Sequence, residues 1–172
     1  MNIKTKINDL NLKGQRKLAF SALFILAVLL LVGSYIWSSQ TVLRIRDWQD
    51  DTILLQVPAN PGDQLYFSWL HSVENTPWHE YYYIAANLNL VLETIAFASF
   101  GAGMPENRGQ SVRIQNGLIV MEGIGEPFSQ IVWLNSPYYT QEIRLNQQYL
   151  THGSELPTRR LILRIERRGF RV

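Results

Sequence analysis

The sequence contains no cysteine among its 172 residues, and it has no lysine after Lys17. Without cysteine the chain has neither a disulfide nor a lipoprotein anchor, so a domain outside the cytoplasm must be stabilised by packing alone. Beyond Trp37, no segment keeps the 3.6-residue periodicity of an amphipathic helix. A Gly-x-Ser-x-Gly motif is also absent, and only three histidines are present. We therefore predict that the chain is not an enzyme and has no catalytic residue and no cofactor.

Charged residues are absent from Leu18 to Leu43, and residues 18–37 are almost wholly apolar. Twenty residues in a helix measure about 30 Å, which matches the hydrocarbon core of a bilayer. The preceding leader, residues 1–17, holds five basic residues against one acidic residue, and basic flanks stay in the cytoplasm. We predict a single-pass helix over residues 18–37 of the cytoplasmic membrane, with the N-terminus inside. The alternative is a signal peptide cleaved near Ser34.

We predict that residues 38–172 form one domain in the periplasm or outside the cell. They contain eleven arginines, no lysine and thirteen acidic residues, a net charge of −2. A nucleic-acid partner is therefore not expected. Six of the arginines lie between Arg159 and Arg171. This segment can bind anionic lipid headgroups or an acidic partner, neutralise the domain's own acids, or protect an edge strand from aggregation.

The domain sequence predicts about nine short strand segments separated by turns. The segments are residues 42–46, 52–57, 64–70, 78–84, 88–100, the hairpin 111–122, 129–135, 140–145 and 161–167. Residues 88–100 are apolar on both faces, which predicts a central strand with a bend or bulge. Short strands with frequent turns favour an all-β fold, either an antiparallel β-sandwich or a barrel-like domain.

The hairpin carries the clearest local signal. Asn116-Gly117 suits a type I′ turn, in which both central residues have positive φ. In this register Gln115 pairs with Leu118. The apolar side chains that then share one core-facing side are Val112, Ile114, Ile119 and Met121.

A first polar motif, WLHSVENTPWHE over residues 69–80, places two histidines and two glutamates within ten residues. Histidine and carboxylate side chains can ligate Zn²⁺ or act as acid and base. Their spacing matches no closed zinc site, and Pro77 interrupts any helix that would group them, so no metal site is predicted. A structural interpretation is that Leu70 ends a strand and that His71 or Glu74 hydrogen-bonds the backbone of the next turn. Ligand or partner binding is the alternative.

A second motif, SFGAGMP over residues 99–105, follows a long apolar segment. Two glycines and a proline predict an unusual backbone path, and glycine-rich loops can present N–H groups to an anion. No lysine or helix start follows, as a phosphate-binding loop would require. A tight corner of the fold is the simpler interpretation.

Together the two motifs resemble the bacterial domain-of-unknown-function family 1850. The residues that match are His71, Ser72, Val73, Glu74, Thr76, Pro77, Glu80, Ser99, Phe100, Gly101, Ala102, Gly103 and Pro105. Members of that family have no established biochemical activity, and their genes tend to neighbour those of TRAP transporters of the TAXI type. The resemblance therefore implies an accessory role in solute uptake.

The leading hypothesis is a membrane-anchored accessory protein that contacts a TRAP-type permease or its solute-binding protein beside the lipid bilayer. The alternative is a β-domain at the membrane surface that binds a small ligand or metal through His71, Glu74 and Glu80. For either role, the predicted ligand- or partner-binding residues are His71, Ser72, Glu74, Thr76, Glu80, Ser99, Phe100, Gly101 and Gly103. If they form one surface, the first motif should lie near the Gly101–Pro105 corner.

Overall fold

The computed structural model describes residues 20–34, 40–98 and 109–169. Contacts divide the chain into two units, one of Thr41–Arg167 and one of Met1–Gln40 with Arg168–Val172. In the latter unit, residues 20–34 form a helix whose apolar side chains are exposed. The leader and residues 18, 19 and 35–37 of the predicted membrane segment lie outside the described residues. Within the described ranges, no helix has both the length and the hydropathy to cross a bilayer.

The unit Thr41–Arg167 is all-β, as predicted, and consists of two antiparallel sheets. The smaller sheet contains β1 (Thr41–Asp47), β2 (Ile53–Pro58), β8 (Ile131–Leu134) and β11 (Arg160–Arg167). The larger sheet contains β3 (Gln64–Leu70), β4 (Pro77–Ile84), β5 (Leu90–Phe97), β6 (Ser111–Gln115), β7 (Leu118–Phe128), β9 (Thr140–Leu145) and β10 (Gln148–Thr151). The strand orders are β2-β1-β11-β8 and β10-β9-β3-β4-β5-β7-β6, so β4 is the middle strand of the larger sheet.

Inward-facing side chains of both sheets form one hydrophobic core. Leu65 and Phe67 face it from β3, because side chains alternate along a strand, and Leu43 and Ile45 face it from β1. The Phe67 ring meets the Trp133 ring of β8 edge to face, with centroids 5.3 Å apart. Burial of each large apolar side chain contributes about 1.5–3 kcal/mol to folding. Two sheets that share a core in this way form a sandwich.

The predicted central strand is β5, which lies between β4 and β7. A register shift between Leu92 and Thr94 confirms the predicted bulge. The strand is shorter than the predicted segment 88–100 at its start, because Leu88 has φ 69° and belongs to the preceding turn. Residues 99 and 100 lie outside the described residues.

The hairpin register is confirmed, since Gln115 lies opposite Leu118 and Ile114 opposite Ile119. Its predicted burial is correct for β7, where Ile119 and Met121 are buried, and wrong for β6. Ile114 is 77% exposed. The reason is that β6 is the edge strand of the larger sheet and reaches beyond the core.

Strand β10 was not predicted. The turn before it is Asn146-Gln147, and both residues have positive φ, 49° and 66°. This is the backbone of a type I′ turn, but a glutamine occupies the place where glycine is usual. Leu145 and Gln148 pair directly across the turn.

The arginines near the C-terminus pair with acids of the domain itself. Arg159 Nη1 lies 2.6 Å from the buried Asp47 carboxylate, and Arg164 Nε lies 3.1 Å from Glu166. Strand β11 pairs with β1 along its length and with β8 over residues 160–163, so protection of an edge strand does not apply to Arg160. Arg159 and Arg164 therefore neutralise acids of the domain itself, which is one of the alternatives given by the sequence analysis.

Candidate functional site

The first motif forms the turn between β3 and β4. The His71 backbone N–H donates to the Thr76 carbonyl at 2.8 Å, and the Asn75 N–H donates to the His71 carbonyl at 2.7 Å. The His71 ring accepts, at Nδ1, a long hydrogen bond of 3.4 Å from the Glu74 N–H. The predicted structural role of His71 in this turn is confirmed.

The two histidines and two glutamates of the motif do not converge. His79 and Glu80 are neighbours on β4 and point to opposite faces. His79 Nδ1 lies 2.8 Å from the Tyr66 hydroxyl, and burial lowers the pKa of His79. Glu80 faces the other sheet. Among the described residues, no three histidine, aspartate or glutamate side chains are grouped so that they could hold a metal ion.

A cavity of about 1340 Å³ lies on the core side of the larger sheet, with β8 of the smaller sheet on its far wall. We call it the inter-sheet cavity. The aromatic side chains that line it are Phe67, Trp69, Trp78, Tyr82, Phe128, Trp133 and Tyr139. His71, Ser72 and Glu80 of the predicted site line it as well.

Two rings that line the inter-sheet cavity, Trp69 and Trp78, belong to a row of stacked rings that continues to Phe97, which is buried and outside the described lining. Trp69, Trp78 and Phe97 are cross-strand partners on β3, β4 and β5. The Trp78 ring stacks on both neighbours, with centroid distances of 5.0 Å to Trp69 and 4.9 Å to Phe97. The His71 ring lies 6.0 Å from Trp69 and 6.2 Å from Trp78. Because each ring is held by the next, this row is a rigid apolar surface.

Glu80 is the polar group set into this aromatic surface. One carboxylate oxygen accepts a hydrogen bond from Trp78 Nε1 at 3.1 Å, and the other accepts from the Tyr82 hydroxyl at 2.8 Å. Burial raises the pKa of Glu80, and the hydrogen bonds from Tyr82, Trp69 and Trp78 oppose that rise without cancelling it. Burial and the nearby Glu80 carboxylate also raise the pKa of Tyr82, so its hydroxyl stays a donor.

The charges that line the inter-sheet cavity are of one sign. Glu126 of β7 contributes a second carboxylate. No lysine or arginine is found among the described residues of the lining. The arrangement is an aromatic pocket with a negative polar group, which can hold an organic molecule by stacking and by charge.

The family model described as Domain of unknown function (DUF1850) matches residues 65–151. The chain belongs to this family. No curated protein and no solved structure matches it. The region that matches the DUF1850 family runs from β3 to the end of β10 and contains the described cavity lining, whereas β1, β2 and β11 lie outside it.

The structure brings together three of the residues predicted for the site of this DUF1850 domain. His71, Ser72 and Glu80 line the inter-sheet cavity, while Glu74 and Thr76 belong to the turn and are not part of the lining. The remaining four, Ser99, Phe100, Gly101 and Gly103, lie outside the described residues. Because residues 99–105 are not among the described residues, the expected proximity of the two motifs stays a prediction.

The predicted binding residues do not include the aromatic and acidic side chains that other strands bring to the inter-sheet cavity, chiefly Phe128, Trp133 and Glu126. One signal was available. Trp78, Glu80 and Tyr82 alternate on the face of β4 that also carries the buried Ile84. A glutamate at an inward position between two aromatic residues is unusual for a purely structural strand, because burying a carboxylate is costly.

Proposed function

We propose that the DUF1850 domain binds a small organic ligand in the inter-sheet cavity. The observation that supports this is the cavity itself, about 1340 Å³ with aromatic walls and one central carboxylate, Glu80. Ligand sites are concave, mostly apolar and equipped with a few well-placed polar groups. This supports the ligand-binding alternative of the sequence analysis through His71 and Glu80.

A pair of neighbouring substitutions tests this proposal. Ser72 lines the cavity, whereas Val73, the next residue, is 76% exposed and outside the lining. The full chain in mild detergent is screened by thermal unfolding against small amines, alcohols and carboxylic acids. A bound ligand raises the melting temperature of wild type and of Val73→Trp, because it binds the folded state. Ser72→Trp, which fills the opening, should lose that rise.

The ligand-binding proposal fails if no compound class stabilises the wild-type chain. It also fails if Ser72→Trp and Val73→Trp respond alike, because the ligand would then bind elsewhere. Circular dichroism of both variants checks that each keeps the β-fold.

We also propose that residues 18–37 anchor the domain to the cytoplasmic membrane, with the N-terminus inside and the domain in the periplasm or outside. The described helix, residues 20–34, supports this, because a helix that is apolar on all sides is typical of protein interiors or bilayers. A reporter fused after Val172 that is active only outside the cytoplasm should be active. Activity of a cytoplasm-only reporter at the same position would contradict the topology.

A role as an accessory protein of a TRAP transporter of the TAXI type is the second functional proposal. Family membership supports it, through the gene neighbourhood that the resemblance implies. An anchored domain needs only a weak interface, because confinement to the membrane raises its effective concentration near a membrane partner. The chain should co-purify in mild detergent with the permease or the solute-binding protein. Normal solute uptake in a deletion strain, together with no transporter component in the purification, would refute this role.

A further inference from the structure

We propose that the inter-sheet cavity recognises an organic cation, either a quaternary ammonium or a protonated amine, between the Glu80 carboxylate and the surrounding indole and phenol rings. This inference rests on the proposed ligand-binding function and names the ligand class. It follows from three features of the lining, which are its charge, its rings and the partners of Glu80.

Charge is the first feature. Glu80 and Glu126 are acidic, and the described lining contains no arginine or lysine. An anionic ligand would meet these two carboxylates and no lysine or arginine among the described lining residues. A cationic ligand would meet attraction, which is stronger beside apolar rings than in bulk water.

The rings are the second feature. Trp69 and Trp78 line the cavity from one sheet, and Trp133 lines it from the other. Indole faces are the strongest aromatic partners of a cation, and aromatic cages are the usual sites for quaternary ammonium groups. Among the described residues no three acidic or histidine side chains are grouped to hold a metal ion, so the pocket suits an organic cation better than a hard metal ion.

The partners of Glu80 are the third feature. Its hydrogen-bond donors are the Trp69 and Trp78 indoles and the Tyr82 hydroxyl, and all three are neutral. They orient the two carboxylate oxygens, and no lysine or arginine of the described residues forms an ion pair with this carboxylate. A bound cation would balance its charge and thereby offset the cost of placing a carboxylate in an apolar pocket.

A pair of probes of equal shape tests the inference. Choline carries a trimethylammonium group, and 3,3-dimethylbutan-1-ol has the same outline without the charge. Both are titrated into the full chain in mild detergent by calorimetry and by tryptophan fluorescence. We expect choline to bind about tenfold more tightly than the neutral alcohol, a difference typical of a desolvated cation–π site.

Variants then assign the preference to residues. Glu80→Gln should bring choline affinity down to that of the alcohol, and Trp133→Leu should weaken choline more than the alcohol. Glu93→Gln is the matched control, because Glu93 is an exposed glutamate on β5 outside the inter-sheet cavity, and it should change neither affinity. Trp133→Leu keeps the inference testable if Glu80→Gln fails to fold.

Two failures can be told apart. If the neutral alcohol or a carboxylic acid binds as tightly as choline, and Ser72→Trp abolishes that binding, the cation inference is overturned while the ligand-binding function stands. If no probe of any charge binds in a manner sensitive to Ser72→Trp, both are overturned. A choline preference that survives both Glu80→Gln and Trp133→Leu also overturns the inference.

Discussion

Arg44 of β1 lies directly opposite Arg164 of β11 in the antiparallel register. Two like charges at one cross-strand position destabilise a sheet unless an acid lies between them. Glu166 fills this role, because its carboxylate accepts hydrogen bonds from Arg44 and Arg46 and lies 3.1 Å from Arg164 Nε. Burial alone would raise the pKa of Glu166, but the hydrogen bonds from Arg46 and Arg44 outweigh it and hold the pKa below its ordinary value.

Glu166→Gln should therefore lower the free energy of unfolding near neutral pH by about 1–3 kcal/mol, since Arg44 loses its acid and Arg46 and Arg164 keep only Asp51. A carboxyl with a depressed folded pKa stabilises above its ordinary pKa, and this contribution is lost as the pH falls through the folded value. The difference between wild type and variant should shrink in urea unfolding at low pH. Glu93→Gln, an exposed control, should change little. If Glu166→Gln lowered the free energy of unfolding equally at neutral and at low pH, that result would contradict the charge argument.

Glu80 predicts the opposite dependence on pH. Its folded pKa is raised, so the folded state binds more protons than the unfolded state between the ordinary pKa and the raised one. The contribution of Glu80 to the free energy of unfolding is favourable below its ordinary pKa and declines as the pH rises through its raised folded-state pKa. Glu80→Gln, which mimics the protonated carboxyl, should match wild type in acid and exceed it in stability at alkaline pH. Unfolding midpoints across the pH range measure this, and a variant less stable at alkaline pH would refute it.

Gly153 predicts a steric effect. A Cβ at this position would lie 2.5 Å from the carbonyl oxygens of Ser136 and Thr140, so the backbone must move to accept it. Gly153→Ala should lower the free energy of unfolding by about 1–3 kcal/mol, the usual cost of overpacking. Gly169→Ala is the matched control, because no atom of the described residues lies within 4 Å of its added Cβ. Equal melting temperatures for the two variants would show that this approach is not tight.

The β9–β10 turn predicts a gain in stability. Gln147 has φ 66°, a conformation that costs a residue with a side chain about 1 kcal/mol and costs glycine little. Gln147→Gly should raise the melting temperature, and Gln147→Val should lower it. Gln148→Gly is the control. It makes the same change one residue later, inside β10, where glycine should be destabilising. If Gln147→Gly and Gln148→Gly both lowered the melting temperature, the positive φ of Gln147 would not be what limits stability at this turn.

The candidate site shows where sequence reasoning stops. The alternation of Leu65 and Phe67, and the turn at Asn116-Gly117, depend on residues that are adjacent in the chain, so they could be predicted. The exposure of Ile114 could not, because it depends on β6 being the edge strand of its sheet. Glu80 was predicted only as one member of a polar cluster. Strand alternation places Glu80 and His79 on opposite faces of β4, so that cluster does not form.

By itself, the sequence determined most strand segments, the all-β class and the apolar helix, since each is encoded by local periodicity, turn chemistry or hydropathy, and its two motifs indicated the family by resemblance. The tertiary structure decided the rest. Strand order placed β11 between β1 and β8, and its Arg164 pairs with Asp51 and Glu166 of the domain itself. It also set Trp133 on one sheet against Phe67 and Glu80 on the other, because a cavity between two sheets is formed by residues that only folding brings together.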